Sequence, residues 1–235
     1  MFGTHDIPLS FETENIQLNI QKQNGCFVYQ RKCNDEEEEK TLLAKKTTIL
    51  INPVEPINKP KEITQYLLID IDTSVIVEPR STFKIYLTFP VAIGVFIKRV
   101  RDYDILDIFT RASQKYTLYG DQQRGVICRY WESLAYSTPP EVDPFQLGIL
   151  ELSIKNTTER WVPVSKAVFN AYGMKIYYSS ERVSMKASME ILSESTAETE
   201  FFSSPLKKDM KKSLELYNVR KLSVLSSTFT MADGI

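Results

Sequence analysis

Apolar and polar residues alternate along many short stretches of the chain, which is the pattern of β-strands that turn one face toward a core. Residues 15–20 show it cleanly, with isoleucine or leucine at the even positions and asparagine or glutamine at the odd ones. The dipeptide Asn24-Gly25 follows, and it is the strongest signal of a two-residue hairpin turn. The run CFVYQ then continues as the partner strand, so we predict a β-hairpin here.

Strands are predicted most densely in the middle of the chain. The runs YLLIDI, SVIVE, TFKIYLTF and VAIGVFI are rich in β-branched and aromatic residues. Residues 103–112 fit either a helix face or a strand, whereas residues 183–191 alternate without a break. Strands spaced roughly ten residues apart and joined by turns indicate antiparallel sandwich-like sheets. We therefore predict an all-β protein.

The segment STPPEVDP, residues 137–144, is the best candidate for a domain boundary, because it is rich in proline and acid and poor in apolar residues. It predicts an N-terminal β domain over residues 1–138 and a C-terminal β domain over residues 145–235. One continuous β-sandwich domain is the alternative.

Two charged segments interrupt the strand pattern. A helix is predicted near residues 205–217, because Ser204 can cap it, Pro205 suits its first position, and Leu206 begins an apolar stripe that repeats every fourth residue. Its outer side would carry lysines, so peripheral membrane contact is an alternative to simple packing on a sheet. The acidic run DEEEE, residues 35–39, is expected to be a solvated loop, because like charges repel one another.

Charge and composition limit the partners and the location. Lysine and arginine total 29 and aspartate and glutamate total 30, which leaves a formal net charge of -1. This balance creates no field that attracts nucleic acid, and no RNA-binding motif is present, so no nucleic-acid partner is expected. No apolar run approaches the roughly 20 residues of a membrane helix. The start MFGTHDIPLS lacks the features of a signal peptide, so we expect a cytoplasmic protein.

The cysteines offer no metal site. Cys26, Cys33 and Cys128 contain no Cys-x-x-Cys pair, and His5 is the sole histidine, whereas a zinc site needs about four ligands at short spacing. We expect reduced thiols, as in a reducing compartment, and neither a metal nor a cofactor.

Enzyme motifs are absent from the sequence. It contains no glycine-rich nucleotide loop, no zinc-protease helix motif and no nucleophile elbow. With His5 as the only imidazole, the usual general base is missing. Carboxylate pairs such as Asp104 and Asp107 keep a hydrolase open as an alternative.

Residues 115–131 (KYTLYGDQQRGVICRYW) hold the densest set of side chains suited to specific polar contacts. Two β-favouring runs flank a turn that Gly120 opens and Gly125 closes. Backbone amides of the turn and the arginines could bind an anion, with aromatic rings as walls. The alternative is that the aromatic residues belong to the core or sheet surface and that the arginines pair with acids. The candidate ligand-binding residues are Lys115, Tyr119, Arg124, Arg129, Tyr130 and Trp131.

Six blocks of the sequence resemble an archaeal family of conserved proteins of unknown function that is common in methanogens. The blocks are INPVEPINKP, LTFPVAIGVFI, KYTLYG, GVICRYW, GMKIYYS and FTMADGI. The resemblance covers essentially the whole chain, and KYTLYG together with GVICRYW is its most specific part. It implies an archaeal, cytoplasmic protein without an assigned activity or catalytic residues. Ala92 departs from the acid often found there in the family, which puts a role for an acid beside Gly94 in doubt.

These observations favour a non-catalytic binding or interaction module. It would engage a protein partner, a second copy of itself or an anionic small ligand through the surface of residues 115–131. The alternative is a carboxylate- or tyrosine-based enzyme that acts on a small or sugar-like substrate, and a pocket with an acid beside Tyr119 or Arg129 would favour it.

Overall fold

A computed structural model describes residues 1–44, 46–57, 63–219 and 227–235. These residues form four β-sheets, so the all-β prediction is confirmed. The strands of the first half are β1 (Gly3–Asp6), β2 (Leu9–Glu12), β3 (Ile16–Gln23), β4 (Cys26–Cys33), β5 (Glu36–Leu42), β6 (Thr48–Val54), β7 (Tyr66–Val77), β8 (Thr82–Pro90), β9 (Ala92–Lys98) and β10 (Tyr103–Thr110). The later strands are β11 (Lys115–Tyr119), β12 (Val126–Ser133), β13 (Leu147–Asn156), β14 (Val162–Asn170), β15 (Tyr177–Tyr178), β16 (Val183–Ile191), β17 (Ala197–Phe202), β18 (Lys211–Lys212) and β19 (Phe229–Met231).

Two of the sheets form a first sandwich. One has the order β1-β6-β9-β10 and the other the order β2-β3-β4-β5. The alternating residues Ile16, Leu18 and Ile20 of β3 face this core and are fully buried, as their pattern predicts. Asn24 and Gly25 form the turn to β4 with φ of 50° and 84°, the left-handed conformation that a tight hairpin turn of this kind needs.

The other two sheets form a second sandwich around the largest core. One has the order β11-β12-β7-β14; the other has the order β18-β15-β16-β13-β8, with β17 and β19 continuing from β16. These two sheets are mixed, because β7 pairs with β12 and β13 with β16 in parallel, whereas their other neighbouring strands are antiparallel. Each parallel pair is separated by intervening elements in the chain, which gives the length that a parallel connection needs.

The cores do not divide at the predicted boundary. Strands β7 and β8, before it, pair with β14 and β13, after it, and all four line the second core. Residues 144–146 form a turn whose Phe145 packs against the first core. These pairings favour the single-domain alternative, and whether residues 1–138 and 145–235 fold separately stays a prediction.

The predicted helix near residues 205–217 is wrong. Lys211 and Lys212 form strand β18, which pairs with β15, and within the described residues helix α1 covers Leu216–Val219. A 3₁₀ turn, Ala171–Gly173, is the other helical element in the ranges described. No helix within these ranges is long and apolar enough to cross a membrane.

The expectation of a solvated acidic loop is also wrong, because Glu36–Leu42 form the edge strand β5. Its hairpin partner β4 supplies positive charge: Lys32 Nζ lies 2.9 Å from Glu37 Oε1 across the pair. Cross-strand pairs of opposite charge offset the repulsion between the glutamates. The charged residues also discourage a further strand from joining this edge.

Candidate functional site

Residues 115–133 form the predicted hairpin, with β11 and β12 antiparallel and Lys115 opposite Tyr130. The turn closes on Asp121, whose Oδ1 accepts the N–H groups of Gln123 and Arg124 at 2.7 and 2.8 Å. The Asp121 carbonyl accepts the N–H of Gly125 at 2.8 Å. These three amides are therefore used within the turn and do not converge on an anion.

The two faces of β12 have different surroundings, because successive side chains of a strand point to opposite sides. The Trp131 Nε1 donates to Thr88 Oγ1 of β8 at 3.1 Å, so this side chain lies between the two sheets of the second sandwich. Arg129 shares its face of the strand. Tyr130 lies on the other face, which opens to solvent.

Arg129 is a buried structural residue, with only 1% of its surface exposed. Its guanidinium donates to the carbonyls of Ser113 and Lys115 at 2.6 and 3.2 Å and lies 5.7 Å from the ring centroid of Tyr116. Its Nε has no hydrogen-bond partner among the residues that the structure covers. Burial lowers the pKa of this guanidinium. The hydrogen bonds hold the chain that enters β11 against β12.

A concavity of about 530 Å³, which we name the tyrosine pocket, opens on the Tyr130 side of this sheet. Its volume is in the range of small-molecule sites. Strands β7, β11, β12 and β14 supply its floor, and the hairpin turn and the C-terminal segment supply its rim. The lining residues are Leu68, Asp70, Thr117, Leu118, Tyr119, Gly120, Asp121, Tyr130, Lys166 and Asp233.

Asp70 and Tyr130 are joined on the pocket floor. Tyr130 Oη donates to Asp70 Oδ2 at 3.0 Å. Burial and the hydrogen bond to Asp70 raise the pKa of Tyr130 to about 12, so it is a phenol at neutral pH. Lys166 of β14 lies directly opposite Asp70 of β7 in the strand register, so the two side chains leave the sheet on the same face.

Tyr119 ties the hairpin to the C-terminal segment. Its Oη donates to the Gly234 carbonyl at 2.9 Å and accepts the N–H of Asp233 at 3.1 Å. Burial raises the pKa of Tyr119. Glycine is needed at position 120 for two reasons. A Cβ atom on residue 120 would lie 2.8 Å from Asp233 Oδ2, and the φ of 94° at this position favours glycine. This packing fixes one wall of the pocket.

The tyrosine pocket is acidic. Asp70, Asp121 and Asp233 outnumber Lys166, and both Asp121 and Asp233 are solvent-exposed. In the part of the chain that the structure describes, no three His, Cys, Asp or Glu side chains are grouped closely enough to hold a metal ion. The field of the pocket therefore attracts cations and repels anions.

The structure brings together only two of the predicted site residues, Tyr119 and Tyr130. Lys115 and Arg124 are exposed and do not line the pocket, and Arg129 and Trp131 are on the opposite face. Sequence reasoning missed the pocket residues Asp70, Lys166 and Asp233. The presence of an acidic residue within the apolar run YLLIDI could have pointed to Asp70 as a site residue. The sequence around Lys166 and Asp233 has no comparable feature.

Asp104 and Asp107, proposed as a carboxylate pair, have separate partners. Asp107 is buried, accepts from Tyr29 Oη at 2.7 Å and pairs with Arg31 Nε at 2.9 Å. Asp104 pairs with Arg99 at the surface. A bulge in β10 between Ile105 and Asp107 turns the Asp107 side chain toward the first core. The two carboxylates thus serve structure and do not share a site.

Comparison with known proteins yields a family match without an activity. The model of a family described as "Protein of unknown function (DUF432)" matches residues 1–232. No curated protein and no solved structure matches the chain.

Proposed function

The chain belongs to the DUF432 family of proteins of unknown function, and we propose, from the geometry of its tyrosine pocket, that it is a non-catalytic binding module for a small hydroxyl-rich molecule that is neutral or cationic. The observation that carries the proposal is the lining of this pocket. Three aspartates, two tyrosines and one lysine line it. Carboxylates and phenols are partners for ligand hydroxyl and amino groups, and tyrosine rings offer apolar faces to a ligand.

This lining argues against the anionic ligand that the hairpin sequence suggests. The guanidinium of Arg129 is buried on backbone carbonyls, and the turn amides around Asp121 are hydrogen-bonded within the turn. An anion in the pocket would meet Lys166 but also the carboxylates of Asp70 and Asp233. Like charges at close range disfavour such a complex.

A carboxylate- or tyrosine-based enzyme is the less favoured alternative. A catalytic base is most effective when its pKa lies near the working pH. The pKa values of Tyr119 and Tyr130 are both raised away from neutrality, so both remain hydrogen-bonding phenols. This supports binding rather than catalysis by the tyrosines.

The test is a calorimetric titration of the purified protein with a neutral sugar, an amino sugar and the corresponding sugar phosphate. We expect heat of binding from at least one of the first two and none from the phosphate. Asp70→Asn should weaken binding about tenfold, since a hydrogen bond to a charged group is worth roughly 1.5–3 kcal/mol. Tyr130→Phe should weaken it about fivefold, since a hydrogen bond to a neutral hydroxyl is worth about 1 kcal/mol. Glu198→Gln, on an exposed site of β17 outside the pocket, is the matched control.

Preferential binding of the phosphate would refute the proposal, as would unchanged affinity in Asp70→Asn. The expected protein partner or homo-oligomer, the cytoplasmic location and the archaeal origin remain predictions, on which the chemistry of the pocket does not bear.

A further inference from the structure

A second concavity, of about 400 Å³, lies where the two sandwiches meet, and we name it the aromatic pocket. Three rings form its apolar side. Phe2, which leads into β1, lies 5.2 Å from Phe145 and 5.6 Å from Tyr178 between ring centroids. Phe145 comes from the turn after the proline-rich segment and Tyr178 from β15, so parts of the chain that are far apart in sequence converge here.

The rings are held in place by contacts outside the pocket. Tyr178 is 7% exposed. In the amide orientation that satisfies the hydrogen bonds of Asn52, the side-chain nitrogen of Asn52 donates to the Tyr178 hydroxyl at 3.1 Å. The turn that carries Phe145 is closed by Asp143, which accepts the Phe145 N–H at 2.9 Å. Phe145 also packs edge-on against Phe11 of β2. The apolar side is thus preformed, which lowers the entropic cost of binding a flat ring.

Two opposite charges stand at the rim. Lys211 of β18 is the cross-strand partner of Tyr178, so its side chain leaves the sheet on the same face as the tyrosine ring. Asp209 precedes it, and both residues are exposed and line the pocket. Neither has an ion-pair partner among the residues described, although they are only two positions apart. An ammonium group and a carboxylate therefore remain available beside the apolar side.

We propose that the aromatic pocket binds a small zwitterion with an aromatic ring, the chemistry of a free aromatic amino acid. The ligand ring packs against Phe2, Phe145 and Tyr178 in offset or edge-on contact. Its carboxylate pairs with Lys211 and its ammonium group with Asp209. Because none of these residues lines the tyrosine pocket, this inference is independent of the function proposed there.

The probe is L-tryptophan, titrated into the full-length protein and followed by calorimetry and by ligand NMR. We expect saturable binding with one site. Tryptamine, which lacks the carboxylate, and indole-3-propionate, which lacks the amine, should each bind about fivefold more weakly, since an exposed ion pair is worth up to about 1 kcal/mol.

Two exposed-residue variants test the roles of the charges without threatening the fold. Lys211→Gln should weaken L-tryptophan about fivefold and leave tryptamine unchanged, because tryptamine has no carboxylate to lose a partner. Asp209→Asn should weaken L-tryptophan to a similar extent and leave indole-3-propionate unchanged. Lys207→Gln, an exposed lysine of the same segment outside the pocket, is the control. Asp70→Asn in the tyrosine pocket should not alter L-tryptophan binding.

The proposal is overturned if L-tryptophan shows no saturable binding up to its solubility limit. It is also overturned if Lys211→Gln and Asp209→Asn bind L-tryptophan as tightly as the natural protein.

Discussion

Replacing Glu55 by glutamine should remove a pH dependence from the stability of the fold. Glu55 follows β6 and is 3% exposed, and its carboxylate oxygens lie 3.2 and 3.3 Å from the N–H of Leu216, the first residue of α1. It therefore caps a helix from a distant part of the chain. Burial raises the pKa of Glu55 to about 7 from an ordinary value of 4.5; the nearby charge of Glu215 raises it too, and that of Lys175 acts in the opposite direction.

The sign follows from comparing the folded and unfolded chains. Between pH 4.5 and about 7 the folded chain holds a proton on Glu55 that the unfolded chain has lost. The free energy of unfolding is therefore highest below this window, falls as the pH rises through it, and is lowest above it. At about 1.4 kcal/mol for each of the roughly 2.5 pH units between the two pKa values, the total loss is about 3.5 kcal/mol. Glutamine keeps an oxygen that can accept from Leu216 but cannot ionise.

The assay is urea unfolding of both proteins at intervals from about pH 5 to about pH 8. Over that range, which starts above the unfolded pKa, the natural protein should lose about 2.5 kcal/mol more than Glu55→Gln. Glu190→Gln, which removes a partly exposed carboxylate paired with Lys155, should run parallel to the natural protein. A free-energy difference between the natural protein and Glu55→Gln that stays constant within about 0.5 kcal/mol would refute the reasoning.

Two further predictions concern the second sandwich. Arg129→Ala should lower the free energy of unfolding by about 2–4 kcal/mol, because it leaves a cavity and removes the hydrogen-bond donors to the carbonyls of Ser113 and Lys115. Urea unfolding measures this loss, and a value below about 0.5 kcal/mol would contradict a structural role. Residues 145–235 expressed alone should show no cooperative unfolding by circular dichroism, because β14 loses β7, its only partner among the described strands, and β13 loses β8. A sharp transition would support the boundary at residues 137–144 instead.

Local pattern was a sufficient guide wherever a strand buries one face. Residues 15–20 and the Asn24-Gly25 turn behave as predicted, because a period of two and a left-handed turn are both properties of consecutive residues. The hairpin at residues 115–131 formed for the same reason. The alternation also predicted that Arg129 and Tyr130 point to opposite faces of β12, but it did not predict which of the two faces is exposed to solvent.

Predictions from local pattern were wrong where contacts with distant residues outweighed the helix propensity of the segment. Ser204, Pro205 and the spacing of Leu206, Met210 and Leu214 satisfy the signals for a helix. In the fold, Ser213 donates its N–H to Ile176 at 2.8 Å and its hydroxyl to Pro53, and Met210 is buried against Ser184. These tertiary contacts favour an extended chain there. In the acidic run, Lys32 on the hairpin partner pairs with Glu37, a charge that has no evident partner in the sequence.

Neighbouring residues were enough to predict the all-β class, most of the strands and the tight turns, but not β5 or β18. Which strands pair, and which polar side chains share a pocket, depends on contacts between distant parts of the chain. Tyr130 meets Asp70 from 60 positions away, and Tyr119 meets Asp233 from 114 positions away. Such meetings depend on how sheets register and pack, and no pattern of neighbouring residues encodes them.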